Sequence, residues 1–222
     1  MDFERVIQTL KSDPEALKKL VLIGVFLFIP IAGPIAIYGW QRRVFDAASQ
    51  GRDEIPDPDF GGDLSYGIDP FLAALNSLPI VFVAWVLCFG VPLMITAGLG
   101  AALGNSDAAA LVGIFAGLAN IIGMLVFMAT ILGVALITPE LLHRGYQGER
   151  FPLFSPGVSI ARIKANMTPY IVLLVSTFVA NFIGGLGIYL CCVGIILTNP
   201  VAAYAKAHFA GQWHAKAHNP VG

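Results

Sequence analysis

Long apolar stretches alternate with short polar segments along most of this chain, and the pattern predicts helices that cross a membrane. A transmembrane helix needs about 20 predominantly apolar residues. Four stretches approach or exceed that length, namely residues 71–103, 108–137, 170–183 and 186–203. The sequence Gly184-Gly185-Leu186-Gly187, at the junction of the last two, predicts a tight turn. We therefore expect an all-α integral membrane protein with about four transmembrane helices.

A fifth apolar stretch, residues 21–40, is interrupted by Pro30, Gly33 and Pro34. Proline removes a helical hydrogen bond and clashes with the preceding turn, so this stretch should divide into two arms. Each arm of about ten residues would be about 15 Å long, half of a 30 Å hydrocarbon core. Lysines precede the stretch and arginines follow it, which favours the same side of the membrane for both ends. These features predict a re-entrant helical hairpin whose break packs inside the bundle, with a kinked full span as a short fifth helix as the alternative.

The first 19 residues have the periodicity of an amphipathic helix. Phe3, Val6, Ile7 and Leu10 recur at helical spacing, which predicts a short helix on the membrane surface. Acidic residues precede the first apolar stretch, so the segment does not have the pattern of a signal peptide. The expected organisation is a single membrane domain, with an amphipathic interfacial segment (1–19), a re-entrant hairpin (20–40), a cytoplasmic loop (41–69), a four-helix bundle (70–207) and a C-terminal tail (208–222).

Composition and charge support the membrane assignment and give it an orientation. The chain is 57% hydrophobic and 12% charged, whereas soluble proteins are about 25% charged. Its net charge is −1, so no basic field points to a nucleic-acid partner. Segments 104–107 and 184–187 contain no Lys or Arg, while the opposite ends of the predicted spans are basic. The positive-inside rule then places both long loops and both termini in the cytoplasm.

Basic residues near the predicted membrane boundary are candidates for contact with anionic lipid headgroups. They are Arg42, Arg43, Arg144, Arg150, Arg162 and Lys164. The alternative is that these residues only reflect the topological bias of cytoplasmic loops.

The loop 41–69 also contains an acidic stretch, residues 53–63. We expect this stretch to fold back on a basic rim, with Pro56 and Phe60 anchoring it at the interface. The rim consists of Arg144, Arg150 and Arg162. In the alternative, the carboxylates stay free and recruit a basic cytoplasmic partner protein.

Polar and small residues within the apolar stretches allow two interpretations each. Asn120 and Asn181 could hydrogen-bond between helices or, together with the hairpin break, line a path for a solute. Small residues four apart let helix backbones approach closely. The pairs are Gly100 with Gly104 and Gly113 with Gly117. The partner helix could belong to the same subunit or to another copy, and we expect self-association.

Candidate chemistry is sparse in this sequence. Glu140 and His143 have helical spacing beside Arg144, which we interpret as a charged surface at a helix end. Three further histidines, at positions 208, 214 and 218, fall in the predicted tail at spacings that match no metal site. The cysteines, at positions 88, 191 and 192, lie in apolar runs and are expected to be buried hydrophobes. We predict no enzyme activity, no cofactor and no metal site.

The loop contains the one pattern that resembles a known family. Its residues are Gly39-Trp40, Arg42 and Arg43, Gly51, Ile55-Pro56, Asp57 with Asp59-Phe60, and Gly67. This pattern is similar to an uncharacterised family of prokaryotic multi-pass membrane proteins, domain of unknown function 4013, although Trp40 stands where the family pattern has tyrosine. The resemblance implies a prokaryotic inner-membrane location and a fold, but no activity. The function we expect is a non-catalytic membrane scaffold or lipid-interacting assembly protein, with a channel or facilitator for a small uncharged solute as the alternative.

Overall fold

The computed structural model describes residues 2–104, 107–189 and 193–218, and all regular elements within them are helices. The all-α prediction is confirmed for these residues. The chain divides into two compact units: Met1–Ala74 with Pro139–Gly222 form the first unit, and Leu75–Thr138 form the second unit.

The first unit begins with three helices, α1 (Phe3–Ser12), α2 (Ala16–Phe26) and α3 (Ala32–Ser49). Asp2 caps α1, since its side chain accepts hydrogen bonds from the backbone N–H groups of Glu4 and Arg5. The break in the apolar stretch lies between α2 and α3, where the prolines predicted it, and Ile31 adopts a φ of 62° there. The helical break is therefore confirmed.

The tip of this hairpin is exposed, which contradicts the expectation that it packs inside a bundle. Phe28 is 66% exposed and Ile31 is 73% exposed. Local turns provide the physical reason, because the N–H of Phe28 donates to Val25 and that of Gly33 donates to Ile29. The backbone groups freed by the break therefore find partners without another helix.

The next helix, α4 (Phe60–Leu75), approaches α3 at two glycines. A Cβ atom at Gly39 would overlap the carbonyl oxygen of Asp63, and one at Gly67 would overlap that of Ile35. Both obstacles are backbone atoms, which cannot move aside as the end of a side chain can. The close crossing of α3 and α4 therefore requires glycine at both positions.

The rest of the first unit contains the end of α7 (Asp107–Tyr146), followed by α8 (Pro156–Ala165), α9 (Met167–Tyr189) and α10 (Val193–His218). A short 3₁₀ turn, Pro152–Phe154, precedes α8. Helix α10 packs against α9, α3 and α2. The largest side chains of the resulting core are Trp40, Trp213, Tyr204, Phe209 and Ile23.

Two predicted features of this region are wrong. The glycines at 184–187 do not form a turn, because α9 continues through them to Tyr189. They permit close packing instead: a Cβ at Gly187 would meet the backbone of Gly194 in α10. The prediction of a C-terminal tail that begins at residue 208 is also wrong, because α10 continues to His218 and His208 and Trp213 are buried. An apolar face that packs on α3 holds this part of the chain in place.

The second unit consists of α5 (Ser77–Trp85), a π-helical stretch (Val86–Gly90), α6 (Val91–Leu103) and most of α7 (Asp107–Tyr146). The π-helical stretch ends two residues before Pro92, which cannot donate a hydrogen bond into the preceding turn. Within this unit, Gly123 lies against the backbone of Cys88, and the rings of Phe89 and Phe127 are 5.4 Å apart.

Three helical segments are long and apolar enough to cross a membrane: Phe60–Leu103, Ala110–Tyr146 and Met167–Tyr189. They support the assignment to a membrane and cover the first three predicted spans. The fourth predicted span, residues 186–203, is not among them. Part of that span, residues 190–192, lies outside the described residues, as do Cys191 and Cys192.

Candidate functional site

An ion pair between Arg43 and Asp63 lies at the centre of the polar side-chain network of the first unit. The Nε of Arg43 donates to Asp63 Oδ1 at 2.7 Å and its Nη2 donates to Oδ2 at 2.9 Å. The Asp63 side chain has no exposed surface. A two-point guanidinium–carboxylate pair of this kind fixes both distance and orientation. It holds α3 and α4 together beside the Gly39 crossing.

The same arginine organises the loop between α3 and α4. Arg43 Nη2 donates to the carbonyl oxygen of Asp57 at 2.7 Å, and the N–H of Asp59 donates to Asp63 Oδ2 at 3.0 Å. The indole N–H of Trp40 donates to the carbonyl oxygen of Pro56 at 2.9 Å. Two pairs of residues that carry the family resemblance, Trp40 with Pro56 and Arg43 with Asp57, therefore contact each other. They fold the loop onto α3.

Lys19 of α2 also binds the loop between α3 and α4. Its ammonium donates to the carbonyl oxygen of Ile55 at 3.0 Å and to Asp13 Oδ2 at 2.9 Å, and it lies 3.1 Å from Asp57 Oδ1. The hydrogen bond from Lys19 holds the pKa of the Asp13 carboxyl below its ordinary value. The loop is thus bound by cations from two different helices.

Arg144, near the end of α7, is buried rather than placed at a lipid boundary. Its side chain is 3% exposed and its donors reach the carboxylate of Glu149, the carbonyl oxygen of Pro152 at 2.9 Å and the hydroxyl of Ser159 at 2.7 Å. A guanidinium surrounded in this way has no surface for a headgroup. The burial contradicts the headgroup prediction for Arg144 and gives it the role of joining α7 to α8.

Glu140 and His143 are also buried, so the interpretation as a surface charge cluster is wrong. Glu140 Oε1 lies 3.3 Å from Arg162 Nη1, and its Oε2 lies 3.6 Å from His143 Nδ1. His143 Nε2 lies 3.1 Å from Nδ1 of His214. A hydrogen bond at that distance requires one of these two ring nitrogens to donate and the other to accept. The cluster joins α7, α8 and α10.

The acidic stretch pairs with residues other than the predicted rim. Asp53 Oδ1 contacts His208 Nε2 at 3.0 Å, and Arg150 instead pairs with Asp69 at 2.7 Å. Arg42 reaches the second oxygen of Asp69 at 3.4 Å. The fold-back of the loop therefore occurs, but the predicted partners are wrong because cations and an imidazole from α2, α3 and α10 lie closer to its carboxylates. Of the predicted anchors, Phe60 packs edge-on against Phe26 of α2.

His208 is held in one tautomer by its neighbours. The backbone N–H of Asp2 donates to Gln212 Oε1 at 2.8 Å, which leaves the amide nitrogen of Gln212 to donate to His208 Nδ1 at 3.1 Å. The proton of a neutral His208 therefore lies on Nε2 and points to Asp53. Burial lowers the pKa of His208 below its ordinary value. Within the described residues, no group of His, Cys, Asp and Glu side chains is arranged to hold a metal ion.

A cavity of about 140 Å³ lies between α2, α3 and α10. Its polar lining residues are Tyr38, Gln41, Asn199 and Lys206, and its apolar ones include Ile23, Leu27, Pro34 and Ile37. The ammonium of Lys206 donates to the side-chain oxygen of Asn181 at 3.1 Å. The sequence alone does not predict this site, although Asn199, Ala203 and Lys206 follow one another at helical spacing.

The remaining predicted positions have varied surroundings. The amide of Asn120 donates to the carbonyl oxygen of Ala116 in its own helix, at 3.0 Å, and belongs to the second unit, whereas Asn181 belongs to the first. Gly33 packs against the backbone of Phe26. Lys164 is exposed. The glycines predicted to pack, Gly100, Gly104, Gly113 and Gly117, have no described atom within 4 Å of a Cβ built on them.

Comparison with known proteins identifies a family but no activity. The model of a family described as "Protein of unknown function (DUF4013)" matches residues 22–193, which confirms the resemblance carried by the loop. No curated protein and no solved structure matches the chain.

Proposed function

Because the chain belongs to the DUF4013 family, described only as proteins of unknown function, we propose a function from its own geometry. The proposed function is that of a non-catalytic scaffold in the inner membrane, which binds lipids and assembles with further copies of itself. The two units would divide these tasks, with a rigid polar body in the first and an apolar assembly surface in the second.

One observation carries the proposal: the charged side chains of the first unit pair with one another and connect successive helices. Arg43 with Asp63 connects α3 to α4, and Arg162 with Glu140 connects α8 to α7. Breaking a buried pair of this kind leaves an uncompensated charge, which resists rearrangement. A body held in one shape in this way suits a scaffold better than an enzyme that must close around a substrate.

The second unit supplies support for self-association. Gly113 and Gly117 lie one turn apart on α7, with open space above both, whereas Gly123 on the same helix is covered by the backbone of Cys88. Small residues at this spacing let two helix backbones approach closely in a membrane. A second copy of the chain is the occupant we propose for the uncovered pair.

Energy transfer between donor-labelled and acceptor-labelled copies in lipid vesicles tests this assembly. We expect transfer at high dilution in lipid, and we expect G117L to abolish it because leucine holds the backbones apart. The matched control is G133L, since Gly133 is also uncovered on α7 but lies about 160° around the helix at 3.6 residues per turn. No transfer for the unmodified protein, or equal loss in both variants, would contradict the proposal.

The second candidate function is a channel or facilitator for a small uncharged solute. The cavity between α2, α3 and α10 favours it, because two neutral amides, Gln41 and Asn199, line a space large enough for a small polar molecule. Osmotic swelling of the same vesicles in glycerol separates the two functions. An impermeable membrane supports the scaffold, whereas glycerol flux that N199L abolishes supports the facilitator.

A further inference from the structure

The cations of the first unit differ in whether a carboxylate neutralises them. Arg42, Arg43 and Arg162 each contact a carboxylate within the first unit. Lys206 differs from them, because its partner among the described residues is the neutral amide oxygen of Asn181. A neutral partner does not compensate the charge of a half-buried ammonium group, so the group can still bind an anion favourably.

The cavity beside Lys206 offers further hydrogen-bond donors. Gln41 accepts a hydrogen bond from the Tyr146 hydroxyl at 2.9 Å through its side-chain oxygen, so its amide nitrogen remains as a donor for the cavity. Tyr38 and Asn199, whose side chains each carry a hydrogen-bond donor, line the same space. An ammonium and three further donors around one cavity match the several acceptor oxygens of a phosphate group.

The other wall of the cavity is apolar and leads to the exposed hairpin tip. Leu27 and Pro34 line the cavity, and the neighbouring residues Phe28 and Ile31 are among the most exposed apolar side chains of the hairpin. A free inorganic phosphate has no apolar part to contact this wall. A membrane lipid has both a phosphate group and acyl chains, so it complements the polar and the apolar side at once.

We propose that the cavity between α2, α3 and α10 binds the phosphate headgroup of an acidic membrane lipid. Lys206 contacts the anionic group, Tyr38, Gln41 and Asn199 donate hydrogen bonds to it, and the apolar hairpin wall contacts the start of an acyl chain. At about 140 Å³ the cavity holds several heavy atoms, since a water molecule takes about 30 Å³. The inference deepens the proposed scaffold function, on which it rests, by assigning its lipid contact to Lys206 rather than to the paired arginines.

Native mass spectrometry of the purified full chain with added phosphatidylglycerol, and separately with phosphatidylcholine, tests this site. We expect one phosphatidylglycerol to be retained, and we expect K206Q to weaken its binding roughly tenfold, the loss of one charge-assisted contact. The control K11Q removes an exposed cation at the end of α1 and should leave binding unchanged. K206R restores the charge and should recover most of the affinity.

The results of these binding experiments show which part of the proposal is wrong if it fails. Equal loss in K206Q and K11Q, or equal retention of phosphatidylcholine, would overturn the site in favour of general surface electrostatics. Displacement of the lipid by soluble glycerol phosphate at equal concentration would overturn the lipid assignment in favour of a free phosphate compound. An unchanged melting temperature of K206Q without added lipid shows that the variant is folded. If K206Q loses the lipid while copies still associate in vesicles, the site stands, and if association fails while the lipid is retained, only the scaffold function fails.

Discussion

Arg43 and Asp63 are the residues on which the loop depends, because Asp63 is a fully buried carboxylate whose two oxygens both accept from Arg43. We expect R43A to lower the free energy of unfolding by about 3–5 kcal/mol, since the variant leaves a buried charge unpaired. R43K should recover only part of this, because an ammonium cannot make the two-point contact. Chemical unfolding in detergent micelles measures the change.

The control for that prediction is a pair on the protein surface. Arg52 and Glu54 form an ion pair with side chains 53% and 49% exposed. Exposed pairs contribute between about 0 and 1 kcal/mol, so R52A should change the stability very little. A loss in R52A as large as that in R43A would show that the loop depends on its overall charge and not on the buried pair.

His208 should make the stability depend on pH. Its folded-state pKa is lowered by burial, and further by Arg5, below an unfolded value of 6.5, although Asp53 acts in the opposite direction. The unfolded chain therefore binds a proton more readily, so the contribution to stability is present above about pH 6.5 and is lost as the pH falls below it. We expect the melting temperature to fall more between pH 7.5 and pH 5.5 for the unmodified protein than for H208Q.

The comparison with H208Q removes the effect of other titrating groups, including His143 and His214. Asp53, Arg5 and Asp2 face His208 and are identical in the two proteins. If acidification stabilised the unmodified protein relative to H208Q, the ion pair with Asp53 would outweigh burial, and the sign of this prediction would be wrong.

At the scale of single residues, the sequence indicates which residues belong to the site better than it indicates which of them contact each other. Arg43 is recognisable as part of a family pattern, but its partner, Asp63, lies 20 residues away. The sequence places Asp63 in an acidic stretch that is predicted to contact Arg144, Arg150 and Arg162. Glu140 and His143 were interpreted as exposed because charged residues usually are. Their burial depends on Arg162 and His214, from elements that the sequence alone does not bring together.

At the scale of elements, glycines decide how closely helices pack. Gly67 of α4 lies against the backbone of Ile35, whereas Gly61 of the same helix has no atom closer than 3.9 Å to a built Cβ. We expect G67A to lower the free energy of unfolding by about 1–3 kcal/mol, because the added methyl group forces α3 and α4 apart. G61A should be neutral or stabilising by up to about 1 kcal/mol, since alanine favours a helix over glycine. Thermal unfolding of both variants in one detergent tests the contrast.

Sequence signals for helix breaks and turns predict the structure correctly at one position and wrongly at another. The prolines at 30 and 34 predicted the break between α2 and α3 because a proline interrupts a helix regardless of its surroundings. The glycines at 184–187 predicted a turn that is absent, because glycine serves turns and close helix contacts equally well. Only the position of α10, with Gly194 against Gly187, distinguishes the two uses.

At the scale of the whole molecule, contacts within the first unit constrain how the chain crosses a membrane. The N–H of Asp2 bonds to Gln212, and Asp53 bonds to His208, so the start of the chain, the loop before α4 and the later part of α10 lie together. If α9 crosses the membrane from Met167 to Tyr189, then α10 must return across it to reach these partners. Such a return would make α10 the fourth crossing, and this expectation rests on the contacts of α10 rather than on apolar length.

Cysteine labelling from either side of the membrane tests this return. In a variant with all three native cysteines replaced by serine, we expect Q8C and K216C to react from the cytoplasmic side, because both positions are exposed and belong to the part of the chain joined by Asp2 and Gln212. Y189C, at a position that is 85% exposed at the end of α9, should react with an impermeant maleimide from the outside. Reaction of Q8C and K216C from opposite sides would mean that α10 does not return. Reaction of Y189C from the cytoplasmic side would mean that α9 and α10 together form a second re-entrant hairpin, with the positive-inside arrangement unchanged.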